Sequence, residues 1–111
     1  MTGGGGWISK TRRAALVIRG GFCCVRCSRD LRTAKPYEIT LDHLEDLVDG
    51  GGHKGANHAS TNLVLCCNRC NSSRGNRSYV EFYGQVDGAL ERVEAQRNAF
   101  VNLELAKSLL G

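Results

Sequence analysis

Apolar positions in this chain come in short clusters, and the spacing within each cluster predicts a different element. Ser9 can cap a helix over residues 10–18, with Gly20 and Gly21 to end it, although the run Ala14–Ile18 makes a poor helical stripe. Phe22 to Arg29 reads as a tight turn. Residues 37–44, YEITLDHL, alternate in part and are rich in strand formers, which predicts a strand. Residues 49–60 hold four glycines and no aliphatic side chain larger than alanine, so a loop is expected there. Asn62 to Leu65 lead into a second cysteine group. A short helix should begin near Cys67–Cys70 and stop near Gly75. Residues 79–84 add a helical turn. Residues 87–110 read as two helical pieces, one with Leu90, Val93, Arg97, Phe100 and Val101 on a face, the next with Leu103, Ala106, Leu109 and Leu110. No internal repeat and no second domain is visible.

A chain of 111 residues makes one domain with a modest core, for which an added staple is plausible. Fifteen bases against eleven acids give a net charge of +4, unevenly spread. Residues 10–35 carry eight bases and only Asp30 as an acid; Arg69, Arg74 and Arg77 form a second basic group; residues 36–66 carry five acids against Lys54. Basic clusters on a small domain suggest a polyanion, most commonly a phosphate backbone, with a merely solvated basic face as the competing reading. MTGGGGWIS lacks an apolar signal core and no run is long enough to span a bilayer, so a cytoplasmic protein without membrane contact is expected. Six cysteines in a reducing compartment argue for metal over disulfides.

Cys24-Val-Arg-Cys27 and Cys67-Asn-Arg-Cys70 are two CxxC knuckles. Two residues between thiolates let one turn place both sulfurs on a single tetrahedral ion, and two such turns complete a structural Zn²⁺ site. A closed all-sulfur site holds a fold and does no chemistry. Cys23 and Cys66 stand directly before knuckle cysteines and read as small apolar packing residues. A redox role for the pairs lacks the βαβ pattern it would need. Trp7, Phe22, Tyr79, Phe82 and Tyr83 read as packing groups. His53 and His58 sit in the glycine-rich stretch, where solvent exposure is expected; Asn57 and His58 could instead touch DNA from there.

Asp42-His43 at a strand end would, alone, be an ordinary surface pair. Asn71, however, directly follows a zinc ligand, which fixes its backbone, and Asp42 lies on a strand stapled by the same zinc. Carboxylate and amide oxygens are hard ligands suited to Mg²⁺ or Mn²⁺, and a neutral imidazole can take a proton from water. Neighbouring residues on a regular strand point to opposite faces, so the strand must end or twist at Asp42-His43 if both are to serve one site.

The order CVRC, LDHL, TNLVLCCNRCN, then SSRG resembles an HNH endonuclease, of the zinc-stapled ββα-metal branch, over about residues 10–80. The resemblance implies an α+β fold: a small ββα-metal (treble-clef, His-Me finger) core with flanking N- and C-terminal helices. It implies catalytic roles for His43 as general base, Asn62 as the tie for the loop carrying that base, and Arg74 as a phosphate contact. It places Asp42 and Asn71 on the catalytic divalent ion, and Cys24, Cys27, Cys67 and Cys70 on the structural zinc. Ser28 stands where relatives often have glycine in a left-handed turn, Asn76 where aspartate is frequent, and Arg19-Gly20-Gly21 where Asp-Gly is common.

The expected organisation is a glycine-rich disordered tail at 1–8, a nuclease domain at 9–84 and a helical extension at 85–111 packed on the same domain. The expected activity is divalent-dependent hydrolysis of DNA, leaving 5′-phosphate and 3′-hydroxyl ends by resemblance. Arg69, Arg74, Arg77, Arg12 and Arg13 would contact the nucleic acid. The protein would act as a monomer or weak dimer in a bacterial or phage-infected cell, with weak specificity or a phage or bacterial partner that supplies it. The main competitor is a non-catalytic zinc-stapled nucleic-acid-binding module; a purely structural zinc domain docking through residues 87–110 is the other. Neither requires Asp42, His43, Asn62 and Asn71 together.

Overall fold

The chain is a mixed α+β protein whose computed structural model describes residues 8–48, 54–56 and 58–111. The tail expected at 1–8 lies outside these residues except for Ile8, as do Trp7, His53 and Asn57. Helix α1 spans Lys10–Arg19; Ser9 caps it by accepting from the Arg12 N–H, and Gly20 closes it. Strands β1 (Ile39–His43) and β4 (Leu63–Cys67) pair antiparallel, with Asp42 opposite Val64 and His43 opposite Leu63. Helix α2 (Asn68–Arg74) follows β4 without a break, then α3 (Tyr79–Gly84), α4 (Ala89–Asn98) and α5 (Leu103–Leu110).

β4 reads LVLCC, and all five residues are buried, because helices cover what the single partner strand does not. Its other edge is closed by side chain and knuckle: the Leu65 N–H donates to Gln96 Oε1 at 2.9 Å, and its carbonyl accepts from the Val25 N–H at 2.8 Å. Gly20 lies hard against this strand; a Cβ there would come 2.7 Å from Leu65 Cβ. The core gathers Leu16, Val25, Leu31, Leu44, Leu63 to Leu65, Phe82, Tyr83 and Val93 around β4.

Two expectations need correction. The stretch predicted as a loop contains a strand, β3 (Lys54–Ala56), which pairs with β2 (Asp46–Val48) just before it. Backbone pairing across a glycine-rich connection leaves no side-chain periodicity to read. Phe100, expected on the face of the first C-terminal helix, lies beyond its end and is 80% exposed, and Leu109 is 65% exposed. α5 packs on α1, and its Leu109 and Leu110 line an apolar groove of about 360 Å³ with α1. No described helix is long and apolar enough to cross a membrane.

Candidate metal centre and active site

The first knuckle is a turn in which the Cys27 N–H donates to Cys24 Sγ at 3.5 Å; in the second, Cys67 caps α2 and accepts from the Cys70 N–H at 3.4 Å. Ser28 takes the left-handed conformation at φ 66°, a place where glycine costs less. The sulfurs of Cys24, Cys27, Cys67 and Cys70 all lie within 4.8 Å of one another, with Cys27 and Cys67 at 3.9 Å. Sulfurs bound at ~2.3 Å to one tetrahedral zinc stand ~3.8 Å apart, so the set can hold a metal ion such as zinc. A hydrogen bond from the Cys66 thiol pulls the Cys24 thiol down to about 4, while burial pushes Cys70 up. Cys66 is packed in the core as expected, but it also sits beside the four-cysteine cluster. Cys23 is exposed and bridges to Asp30.

β1 does end at the Asp42-His43 pair. His43 is the last residue of β1, and Leu44 and Glu45 bend away. Asp42 and His43 therefore line one cavity of about 250 Å³, together with Asn71, Arg74, Gly75, Asn76 and Arg77. Asn71 donates from Nδ2 to Thr40 Oγ1 at 3.0 Å, which keeps its amide oxygen for the cavity. Thr40 in turn donates to the Cys66 carbonyl at 2.6 Å, so the amide is held from β1 as well as by the knuckle. Asn62 is buried; its Oδ1 accepts from the Glu45 N–H at 3.1 Å and its Nδ2 donates to the Glu45 carbonyl at 2.8 Å. That pair of bonds ties the bend two residues beyond His43.

Asp42 is 5% exposed and held by two donors, Arg74 Nη1 at 2.8 Å and the Tyr83 hydroxyl at 2.6 Å. Both land on Oδ2, and no described donor reaches Oδ1. Burial pushes the Tyr83 phenol up, so it stays protonated and donates. Arg74, expected at phosphate, is turned inward: Nε donates to the Arg77 carbonyl, Nη1 also to the His43 carbonyl, and Nη2 to the Leu44 carbonyl at 2.7 Å. The cavity wall includes Arg77 but not Arg12, Arg13 or Arg69. Arg12 donates to Ser60 Oγ, and Arg13 to the Ile39 carbonyl beside the apolar groove. His58, expected to face solvent, is half-buried with Nδ1 3.0 Å from His43 Nε2. Sequence reasoning missed both this contact and Tyr83; an aromatic in an apolar helix and a histidine among glycines carry no local mark of such partners.

The sequence profile of HNH endonucleases matches residues 24–77. The chain carries an HNH domain. That segment runs from the first knuckle cysteine to just past α2, and it contains every residue placed in the cavity above. The HNH family supports a nuclease-type function and the four-cysteine metal site fits it. No curated protein and no solved structure matches the chain.

Within the HNH domain, Arg74 is a buried clamp: its side chain is 12% exposed and that of Asp42 6%. Removing one member of a buried pair costs about 3–5 kcal/mol, because the other charge is left uncompensated. Arg74→Met should therefore lower the unfolding free energy of the metal-loaded protein by that amount in a urea titration. A loss well under 1 kcal/mol would mean that the clamp does not hold the strand end.

Proposed function

We propose that the HNH domain hydrolyses DNA phosphodiester bonds, with His43 as general base and one Mg²⁺ or Mn²⁺ held by Asp42 Oδ1 and the Asn71 amide oxygen. The observation that supports this reading is the single cavity into which Asp42, His43 and Asn71 converge from the end of β1 and from α2. Both oxygens are hard donors on a wall shaped by buried bonds, which suits a small divalent cation. The ion supplies Lewis-acid neutralisation of charge on the phosphate. Neutral His43 takes a proton from a water molecule, which attacks phosphorus in line with the departing oxygen. Asn62 keeps the bend behind His43 in place. Asn76 and Arg77, on the cavity rim, are positioned to orient phosphate in place of the inward Arg74.

The four cysteines hold a structural zinc in this reading, which presents Asn71 one residue after a ligand. Arg69, exposed on α2, together with Arg12, Arg13 and Arg77, would add phosphate contacts with little sequence preference. A single active site of this kind nicks one strand per encounter.

Purified, zinc-loaded protein should convert supercoiled plasmid to the nicked form when Mg²⁺ or Mn²⁺ is added and leave it intact without added ion. Binding of DNA with no nicking in either ion would replace this reading with the non-catalytic binding module.

A further inference from the structure

Every hydrogen bond that the described residues make to the Asp42 carboxylate falls on one oxygen. Arg74 Nη1 donates to Oδ2 at 2.8 Å, and the Tyr83 hydroxyl donates to it at 2.6 Å. An arginine beside a carboxylate commonly forks across both oxygens. Arg74 does not, because its Nε and Nη2 are directed to the Arg77 and Leu44 carbonyls. The second donor, Tyr83, comes from outside the segment that the HNH profile matches. It is fully buried on α3, its ring edge-on to Phe82 and its hydroxyl oxygen 3.7 Å from Cys66 Sγ. Packed in this way, the ring carries its hydroxyl to one point behind Asp42.

We infer that Tyr83 is a positioning residue for the divalent ion: together with Arg74 it fills Oδ2, so that Asp42 offers the ion a single oxygen, Oδ1. The inference rests on the nuclease reading above and adds to it a residue that the matched segment lacks. A carboxylate oxygen has about two acceptor sites, and both on Oδ2 are taken. An ion at Oδ2 would have to displace the hydroxyl or the guanidinium from a buried charge. Oδ1 has no described donor, and Asp42 lines the cavity together with Asn71. A ligand group held in one rotamer before the ion arrives loses less freedom on binding, which tightens the complex. One-oxygen coordination also leaves room in the octahedral shell of Mg²⁺ or Mn²⁺ for water and phosphate. In Tyr83→Phe the ring still fills the core and the Arg74 pair persists. Oδ2 then loses one bond, and the carboxylate gains freedom to turn about its last torsion.

The test titrates Mn²⁺ into the zinc-loaded full chain without DNA and reads the free ion by electron paramagnetic resonance. Tyr83→Phe should raise the Mn²⁺ dissociation constant about 10- to 100-fold at unchanged zinc content, the loss typical when a partner of a metal-binding group is removed. In plasmid nicking, KM for Mn²⁺ should rise by the same factor, while kcat recovers at saturating ion and KM for DNA does not change. A merely structural role would lower kcat or zinc content at every ion concentration. A second measurement needs no variant. In wild type with ¹³C-labelled aspartate, Mg²⁺ should widen the infrared gap between the antisymmetric and symmetric stretches of the carboxylate that binds it, the mark of one-oxygen coordination. A narrowed gap, the mark of two-oxygen coordination, overturns the inference. So does a folded Tyr83→Phe protein with the Mn²⁺ affinity of the wild type, and if both proteins nick DNA the nuclease reading is untouched by that result. Mn²⁺ binding that depends on Tyr83 in a protein that never nicks DNA keeps the inference and removes the nuclease reading.

Discussion

With no metal on its four clustered cysteines, this chain should not stay folded. The first knuckle is tied to the rest of the protein by the Val25 N–H to the Leu65 carbonyl, by the Arg92 guanidinium to the Val25 and Arg26 carbonyls, and by the Arg26 guanidinium to the Phe82 carbonyl and Gln85 Oε1. The sheet it leans on has two strands. Apparent zinc-binding free energies of about 10–16 kcal/mol at small four-ligand sites equal or exceed the roughly 5–15 kcal/mol by which whole domains are stable. Chelation at pH 7 should abolish the cooperative thermal transition and disperse the helical circular-dichroism signal, and readdition of one equivalent of zinc should restore both. Cys70→Ser should behave as the stripped protein does. Cys66→Ala should keep one zinc per chain and lose only the modest stability expected of a small core truncation. Because protons compete with zinc for sulfur, acid should release metal and structure in the same transition. Retention of the cooperative transition in zinc-free protein would show that the core alone suffices.

Replacing His43 with alanine should remove nicking activity while leaving the folded, zinc-loaded protein intact. His43 ends β1 and is only half-buried, so its loss opens no cavity in the core around Leu63 to Leu65. A general base contributes about 10²–10⁴ in rate, which is about 3–5 kcal/mol of barrier. A drop of that size in initial nicking rate, at unchanged melting temperature and zinc content, is the expected result. The wild-type rate should also fall at acid pH. Only the neutral ring accepts a proton, so activity should be lost as acid protonates it. Equal nicking by His43→Ala would remove His43 from the mechanism, and an acid limb that is the same in wild type and in a His43 variant with residual activity would argue against it independently.

Much of this architecture is legible in the chain because the informative features are local. Two residues between cysteines specify a turn wherever they occur, and Ser9, Gly20 and Gly75 bracket α1 and α2 by capping chemistry that acts over three or four residues. The adjacency of Asp42 and His43 even carries its own structural demand, a strand that stops. What the sequence hides is long-range. Tyr83 meets Asp42 across 41 positions, and being fully buried it satisfies a packing pattern while its hydroxyl does something else. Arg74 looks like a surface cation at a helix end, and only the folded chain shows three backbone or carboxylate oxygens from β1 and the bend waiting for it. The β2–β3 hairpin and the His43–His58 meeting arise from the same glycine-rich stretch, where composition favours no conformation and tertiary pairing decides.

The donors that complete the HNH domain come from beyond it. Gln96 closes the edge of β4, Arg92 caps the knuckle carbonyls, Tyr83 holds the aspartate, and on the other side Arg19 donates to the Ser60 and Leu63 carbonyls. A transplant of residues 24–77 into another protein would carry the ligands and the reactive side chains but abandon their scaffolding at both ends. The portable cassette is longer than its signature, running from α1 through α4, and a host that borrows it inherits those helices as part of the fold.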